Sequence, residues 1–361
     1  MNWPTWLPLR KDLTPLTPYG APQVPAQASL NTNENPYSPS PTLQKAIADA
    51  VMVVAANLNR YPDRDANELR TKLAGYINST SKVNLTIDNI WAANGSNEII
   101  QSIFLAFGQA SALGFTPSYS MHPLIAKVCG TNWVDGERNS DFSLNVELAI
   151  EQIRQVQPAL TFITTPNNPT GESVSISDIK SLADSVAKIN GLLIVDEAYA
   201  EFSTEESAVT LVAKNPHVVV IRTMSKAFAF AGARVGYMVC DSSVKDAMML
   251  VRLPYHLSAL TQAAASVAID FKEELLGYVS ELIRARKALT AQLTEIGLKV
   301  IPSSANFILF TGFNAEAPKL WRELLGKGVL IRDVGLPGYL RVTVGNEAEN
   351  TLLIAALKEL I

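Results

Sequence analysis

Short apolar segments alternate with segments of helical periodicity through the middle of this chain, and this alternation restricts the possible fold more than any other feature. A predicted helix over 177–189, for example, lies between two such apolar segments. Continuous apolar strands separated by helices are typical of a mostly parallel sheet that is covered by helices on both faces. The sequence therefore predicts an α/β fold whose strands include residues 112–115, 159–164, 192–195, 218–221 and 235–240.

The segments on either side of this region have different patterns. Proline and asparagine are frequent in residues 1–44, which predicts an arm that lies over another part of the protein or crosses to a partner subunit. From residue 256 onward, a long helix over 272–297 precedes shorter strands and helices in an α+β pattern. We therefore predict an N-terminal arm that includes part of the small domain (1–44), a large domain (45–255) and a small C-terminal domain (256–361).

Charge and cysteine usage argue against several classes of function. The formal net charge is −4 and no basic run is present, so a nucleic-acid partner is not expected. The two cysteines form no CxxC pair and the three histidines have no metal-ligand spacing, which favours a reduced, cytoplasmic protein without a metal site. The N-terminus lacks the apolar segment of a signal peptide, and no uncharged apolar run reaches the roughly 18 residues of a membrane span.

The segment TMSKAFAFAGARVG, residues 223–236, contains the strongest candidate for a reactive side chain. A lysine taken at random is most often a solvated surface amine. Lys226 instead follows an apolar strand and precedes a run of Ala, Phe and Gly, so it belongs to a segment that should be packed. A desolvated lysine tends to lose its proton and then attacks carbonyls. Because Thr223, Ser225 and Arg234 suit a phosphate, we predict a Schiff-base lysine beside a phosphate site.

A second possible anion site lies earlier in the chain. A short apolar run, 90–93, leads into Asn94-Gly95-Ser96-Asn97 and then into an apolar helix. A strand, a glycine turn and a helix start together leave backbone N–H groups directed at one point, where the helix dipole favours an anion. Taken alone, the unit is read more simply as a turn at Gly95 and a helix N-cap at Ser96.

Asp196 ends a buried apolar strand, where a carboxylate needs a cationic partner. The carboxylate could form a structural salt bridge, cap a helix, or pair with a protonated pyridine nitrogen. Tyr199 and Asn168 could then bond to the phenolic oxygen of a pyridoxal ring. Asn168, Asp196 and Lys226 each come just after a predicted strand, and the carboxyl ends of parallel strands meet in one crevice.

These motifs, taken in order, resemble those of fold-type I pyridoxal-phosphate aminotransferases. The four that carry the resemblance are NPTG at 168–171, DEAY at 196–199, TMSK at 223–226 and GARVG at 232–236. Further segments extend it over essentially the whole chain, and they are most similar to histidinol-phosphate aminotransferases, in the form found in the actinobacterial branch of that family. These segments are LNTNENPYSPSP, NRYPD, NGSNEII, TPSYSMH, VRLPYHLS, VLIRDVG and YLRVTVG.

The resemblance implies a role for each matching residue. Lys226 would form the Schiff base with pyridoxal phosphate and move the proton, and Asp196 would pair with the ring nitrogen. Arg341 would take the anionic group of the substrate, and Tyr61 and Tyr255 would reach the site from the partner subunit of a homodimer. The other cofactor residues would be Gly95, Ser96, Asn97, Tyr119, Asn168, Tyr199, Thr223, Ser225 and Arg234, and the other substrate residues would be Tyr19, Asn35 and Arg332.

The reaction implied by the resemblance is a ping-pong transamination. It would convert L-histidinol phosphate and 2-oxoglutarate into imidazole acetol phosphate and L-glutamate, in histidine biosynthesis. An aromatic amino-acid aminotransferase that accepts phenylalanine would keep every cofactor residue, and so would a β-lyase or a decarboxylase. A regulatory protein that binds pyridoxal phosphate without turnover is a further alternative, and the lack of an appended DNA-binding domain argues against it. Surface or packing roles also remain open for Arg332, Tyr19 and Tyr255.

Overall fold

The computed structural model describes residues 3–108 and 110–361, and within them it contains twelve strands and twelve α-helices. The strands are β1 (Ala28–Ser29), β2 (Ile90–Ala93), β3 (Ser111–Thr116), β4 (Asn132–Glu137), β5 (Leu160–Thr164), β6 (Leu192–Asp196), β7 (Val218–Thr223), β8 (Gly236–Val239), β9 (Lys299–Val300), β10 (Phe307–Thr311), β11 (Val329–Leu330) and β12 (Leu340–Thr343). The helices are α1 (Pro41–Ala55), α2 (Asn67–Ser81), α3 (Ser96–Phe107), α4 (Met121–Cys129), α5 (Val146–Val156), α6 (Ile176–Ala187), α7 (Val209–Val212), α8 (Ser242–Met248), α9 (Ala259–Asp270), α10 (Lys272–Glu295), α11 (Ala317–Gly326) and α12 (Glu347–Leu360).

A seven-stranded sheet with the order β4-β3-β5-β6-β7-β8-β2 forms the centre of the molecule. The five strands from β4 to β7 are parallel, whereas β8 runs antiparallel to both of its neighbours. The prediction of a mostly parallel α/β sheet is therefore confirmed. Because β5, β6 and β7 run in the same direction, their carboxyl ends lie side by side. We call this end of the central sheet its carboxyl edge.

Both faces of the sheet are covered. On β6, Ile194 packs with Ile103 of α3 and Ile125 of α4 in one apolar cluster. Its neighbours Leu193 and Val195 face the opposite way and belong to a larger cluster that includes residues of α2, α5 and α6. Burial on both sides explains why the central strands read as uninterrupted apolar runs in the sequence.

The prediction missed several elements. Strand β4 lies at the edge of the sheet, and its residues are polar or only partly buried, so no apolar run marked it. Helices α5, α8 and α9 were also missed, along with the short helix α7.

Helix α9 packs against α1 and α2. Strands β9, β10 and β12 form a separate antiparallel sheet, the C-terminal sheet, next to α10. The domain boundaries remain a prediction.

The N-terminal segment connects the two parts of the molecule. Strand β1 pairs in parallel with β11, with Ala28 opposite Val329 and Ser29 opposite Leu330. Just beyond β1, the Asn33 backbone N–H donates to Thr343 Oγ1 of β12 at 2.9 Å. Residues 31–33 are thereby fixed between the C-terminal sheet and the carboxyl edge of the central sheet.

Buried salt bridges from Arg222 join the ends of β6 and β7, on the face of the sheet opposite to Thr223 and Asp196. Arg222 Nη2 donates to Glu197 Oε2 at 2.8 Å, and Arg222 Nη1 donates to Glu201 Oε1 at 3.0 Å. Arg222 and Glu197 adjoin Thr223 and Asp196 in sequence, and successive strand residues point to opposite faces. These salt bridges therefore hold the carboxyl ends of β6 and β7 in register. No helix in the described ranges has the length and apolarity needed to cross a membrane.

Candidate active site

A cavity of about 460 Å³ lies where the carboxyl edge of the central sheet meets the N-terminal segment and the C-terminal sheet. The ends of β5, β6 and β7 each contribute residues to its wall, as expected for ligand sites in open α/β sheets. The predicted site residues that line it are Tyr19, Ser96, Asn97, Tyr119, Asn168, Asp196, Tyr199, Thr223, Ser225, Lys226, Arg234, Arg332 and Arg341.

Lys226 lies in the wall of this cavity three residues beyond β7. Its Nζ donates a hydrogen bond to the carbonyl oxygen of Thr32 at 2.8 Å. The pKa of Lys226 is lowered to about 8, chiefly by burial and in part by the nearby Arg341 and Arg234, while Glu34 opposes the change. A lysine with this pKa loses its proton far more readily than a surface lysine, so it can attack an aldehyde near neutral pH.

Asp196 is buried at the end of β6 and has no lysine or arginine within ion-pair distance among the described residues. Its Oδ2 lies 3.1 Å from His122 Nε2, and its Oδ1 accepts a bond from the Ala198 backbone N–H at 3.2 Å. His122 is also buried and packs against the Phe162 ring. A carboxylate that is held by a histidine and still faces the cavity fits a protonated ring nitrogen.

Tyr199 and Asn168 line the same cavity as Asp196. The Tyr199 hydroxyl accepts a hydrogen bond from Asn33 Nδ2 at 2.8 Å, and burial raises the pKa of Tyr199. The hydroxyl therefore keeps its proton and can donate it to an oxygen in the cavity. Asn168 Oδ1 accepts from Arg341 Nη1, which leaves the Asn168 amide N–H groups free to donate.

Arg234 approaches the start of α3, where the two could bind an anion together. Gly95 precedes the helix with φ +83°, and no side chain caps the first turn. A Cβ on Gly95 would lie only 2.8 Å from Arg234 Nη2. Gly95 is therefore more than a turn residue, because its lack of a side chain lets the guanidinium approach the helix start.

Two hydroxyls complete this anion site. Thr223 Oγ1 lies 2.9 Å from Ser225 Oγ, and Thr223 also accepts from the Ser225 backbone N–H. With Thr223 as donor, the Ser225 hydroxyl proton is free to bond to an anion. Free N–H groups at a helix start, a guanidinium and a hydroxyl are the donors that suit a phosphate.

Two arginines, Arg332 and Arg341, also line the cavity, and we refer to them as the arginine wall. Arg332 and Arg341 exchange backbone hydrogen bonds of 2.9 Å across an isolated bridge. Arg341 is buried, donates from Nη2 to the Asn31 carbonyl oxygen at 2.9 Å, and leaves its Nε without a partner among the described residues. The Arg332 guanidinium lies 6.0 Å from the centre of the Tyr19 ring. Two adjacent cations at this wall suit an anionic group of a substrate.

Four predicted residues do not line the cavity: Gly95, described above, and Asn35, Tyr61 and Tyr255. Asn35 accepts a hydrogen bond from the Tyr37 backbone N–H at 3.0 Å, so its amide serves a local turn here. Tyr61 and Tyr255 stack on each other with ring centroids 4.4 Å apart. They are 79% and 41% exposed, and neither lines the cavity of its own chain.

Sequence reasoning missed His122 and Asn33 as partners of Asp196 and Tyr199, although both lie in segments that carry the family resemblance. Tyr119 is a predicted ring-stacking residue, and its hydroxyl donates to Asn97 Oδ1 at 3.2 Å. The site as a whole suits a cofactor that combines a phosphate, an aldehyde, a ring hydroxyl and a protonated ring nitrogen. Pyridoxal phosphate carries these groups.

Comparison with known proteins agrees with this chemistry. Residues 25–357 match the family described as aminotransferase class I and II. Histidinol-phosphate aminotransferase from Mycolicibacterium smegmatis is 51% identical over 98% of this chain and 93% of that protein. The protein of the same description from Mycolicibacterium vanbaalenii is 52% identical over 97% of this chain and 95% of that protein.

Solved structures share the fold. Histidinol-phosphate aminotransferase from Clostridium acetobutylicum matches with a TM-score of 0.83 at 24% identity, covering 92% of this chain and 98% of that one. The enzyme from Sinorhizobium meliloti, solved in complex with pyridoxal-5'-phosphate, matches with a TM-score of 0.82 at 23% identity, covering 93% and 91%. The chain belongs to the class I and II aminotransferases and, within them, to the histidinol-phosphate aminotransferases.

Proposed function

We propose that this chain transfers the amino group of L-histidinol phosphate to 2-oxoglutarate, giving imidazole acetol phosphate and L-glutamate, with pyridoxal phosphate as its cofactor. The observation that carries the proposal is the placement of Lys226, with its lowered pKa, in one cavity with Asp196 and the anion site at α3. The identity of about half of all residues to histidinol-phosphate aminotransferases supports the choice of substrate.

Each residue has a role that follows from its contacts. When bound, pyridoxal phosphate supplies an electron sink for the substrate Cα. The start of α3, Ser225 and Arg234 would hold its phosphate, and Asp196 would pair with its protonated ring nitrogen. His122 fixes the orientation of the Asp196 carboxylate through its 3.1 Å contact.

Lys226 Nζ acts as the base that removes the proton from the substrate Cα and as the acid that returns a proton during the exchange. The backbone carbonyl of Thr32 orients the amine. Tyr199 and Asn168 direct donors toward the ring hydroxyl, and Arg341 and Arg332 bind the anionic group of the substrate.

The two half-reactions must use the same anion wall in turn. Histidinol phosphate presents a phosphate, whereas glutamate and 2-oxoglutarate present carboxylates, and an arginine can bind either in a bidentate manner. We further propose that the active unit is a homodimer in the cytoplasm, in which Tyr61 and Tyr255 complete the site of the neighbouring subunit. Their mutual stacking and exposure on this chain support that arrangement.

The test is a half-reaction screen that follows the cofactor absorbance during single turnovers with histidinol phosphate, glutamate, phenylalanine and tyrosine. We expect histidinol phosphate to react with a higher kcat/KM than phenylalanine. A tenfold preference for phenylalanine would instead show an aromatic amino-acid aminotransferase. Lys226→Ala should remove nearly all turnover with every substrate, because the variant lacks both the nucleophile and the base.

A further inference from the structure

The N-terminal segment supplies one wall of the cavity, and this wall is held at several points. The carbonyl oxygens of Asn31 and Thr32 accept bonds from Arg341 and Lys226 at 2.9 and 2.8 Å. Asn33 has φ +55°, bonds to Tyr199 through its side chain, and accepts from Asn306 Nδ2 through its backbone. These contacts fix the position of the backbone that presents the next residue, Glu34.

Glu34 lines the cavity and is exposed. Three carboxylates lie in the cavity wall. Asp196 bonds to His122 and Ala198 and would pair with the cofactor ring nitrogen, and Asp333 Oδ1 accepts from the backbone N–H of Gly335 at 2.9 Å. Glu34 makes no side-chain hydrogen bond or salt bridge with any residue that the structure describes. Its charge nevertheless acts on Lys226, since it opposes the lowering of the lysine pKa. It therefore lies within electrostatic range of the reacting centre.

The amino donor in the proposed function has three polar parts. Its amine meets Lys226 and its phosphate meets the arginine wall, but its imidazole N–H requires an acceptor. The side-chain oxygen of Asn97 is already bonded to the Tyr119 hydroxyl. A carboxylate is a strong acceptor for a ring N–H and would also stabilise a protonated ring. Glutamate has no comparable donor in its side chain.

We propose that Glu34 recognises the imidazole ring of the amino donor by accepting its N–H, and so separates histidinol phosphate from donors that lack this group. Glu34 is then a specificity residue of the same site, and its role rests on the proposed function. Any effect of its charge on Lys226 is common to all donors, so its role in specificity is seen in the ratio of kcat/KM between donors.

The experiment compares wild type, Glu34→Gln and Glu34→Ala, each loaded with cofactor, in single-turnover half-reactions. The donors are histidinol phosphate, glutamate and 2-amino-3-phenylpropyl phosphate, in which a phenyl ring replaces the imidazole. We expect Glu34→Gln to lose about tenfold in kcat/KM with histidinol phosphate, as for one charge-assisted hydrogen bond, and Glu34→Ala to lose at least as much. Loss of the Glu34 charge acts on Lys226 in all three half-reactions alike, so the ratio of kcat/KM for histidinol phosphate to that for each of the other two donors should fall about tenfold.

Glu273→Gln makes the same change of charge on the exposed side of α10, and it should leave all three donors unaffected. An equal loss with all three donors in the Glu34 variants would overturn the inference, since Glu34 would then act through Lys226. No loss with histidinol phosphate would overturn it as well. Failure of the wild type to turn over histidinol phosphate would refute the proposed function itself, and the assignment of Glu34 with it.

Discussion

At the scale of single residues, the reactivity of Lys226 comes from an unfavourable burial. The ordinary lysine pKa of 10.5 falls to about 8, chiefly because burial disfavours the ammonium form. Between these two values the unfolded chain binds the proton and the folded chain does not. The stability contributed by this group therefore rises with pH across that window, and the full penalty is present below about pH 8.

Replacing Lys226 with methionine should consequently stabilise the cofactor-free chain at pH 7. A shift of two to three pH units corresponds to about 3 kcal/mol, and the lost bond to Thr32 reduces the gain, so we expect about 1 to 3 kcal/mol. The gain should shrink as the pH approaches 10.5. Urea denaturation at several pH values measures it, with exposed Lys287→Met as the control. A variant that is less stable than wild type at pH 7 would contradict this account.

At the scale of elements, the start of α3 joins backbone conformation to anion binding. Gly95 has φ +83°, which disfavours any L side chain, and it also borders Arg234. Gly130, after α4, has nearly the same φ of +82° but open space around its Cβ position. The ψ values differ, since Gly130 is in the left-handed helical region (ψ 14°) and Gly95 is not (ψ 168°). Gly130 is therefore a control for a positive-φ substitution away from Arg234, and the displacement of the guanidinium is measured by cofactor binding.

We expect Gly130→Ala to lose about 1 kcal/mol of unfolding free energy from its left-handed backbone, and Gly95→Ala to lose about 1 to 3 kcal/mol, because its φ and ψ are accessible essentially to glycine alone. Only Gly95→Ala should weaken cofactor binding, by about tenfold or more, because Arg234 must move. Titration of each cofactor-free variant with pyridoxal phosphate, followed by absorbance, measures the difference. Equal affinity in the two variants would show that Arg234 does not need its present position.

At the scale of the whole molecule, two exposed aromatic side chains lack a role within their own chain. Tyr61 and Tyr255 stack together at the surface, and neither lines the cavity. A twofold-symmetric dimer presents the same patch on both subunits, so each pair could reach the cavity of the other chain. The site would then draw Lys226 from one subunit and Tyr61 from its partner.

A mixture of Lys226→Ala and Tyr61→Ala chains, unfolded and refolded together, tests this arrangement. Random pairing gives about half hybrid dimers, and each hybrid would contain one site with both residues intact, so about a quarter of wild-type activity should return. Each variant refolded alone provides the baseline. If confirmed hybrids recover no activity, Tyr61 acts within its own chain and the shared site is wrong.

The amino-acid sequence by itself determined the chemical groups of the site and the class of the fold. Asn168, Asp196 and Lys226 could be brought together without coordinates because each follows a buried strand, and parallel strands end at one edge. Strand β4, at the edge of the sheet, was not predicted, because it is only partly buried and its sequence therefore has no apolar run. Asn35 was assigned to the substrate by resemblance, and the structure places it outside the cavity lining.

Only the tertiary structure decided which side chains and backbone groups bond to each residue of the site. Asp196 meets His122 across 74 residues of chain, Tyr199 meets Asn33 across 166, and Lys226 meets Thr32 across 194. Contacts between residues so distant in sequence leave no periodicity or spacing that could be read in advance. The sequence left open whether Asp196 forms a salt bridge, caps a helix or pairs with a ring nitrogen. The tertiary structure narrowed these alternatives, because burial exists only once the chain has folded, and burial sets the free-energy cost of an unpaired charge.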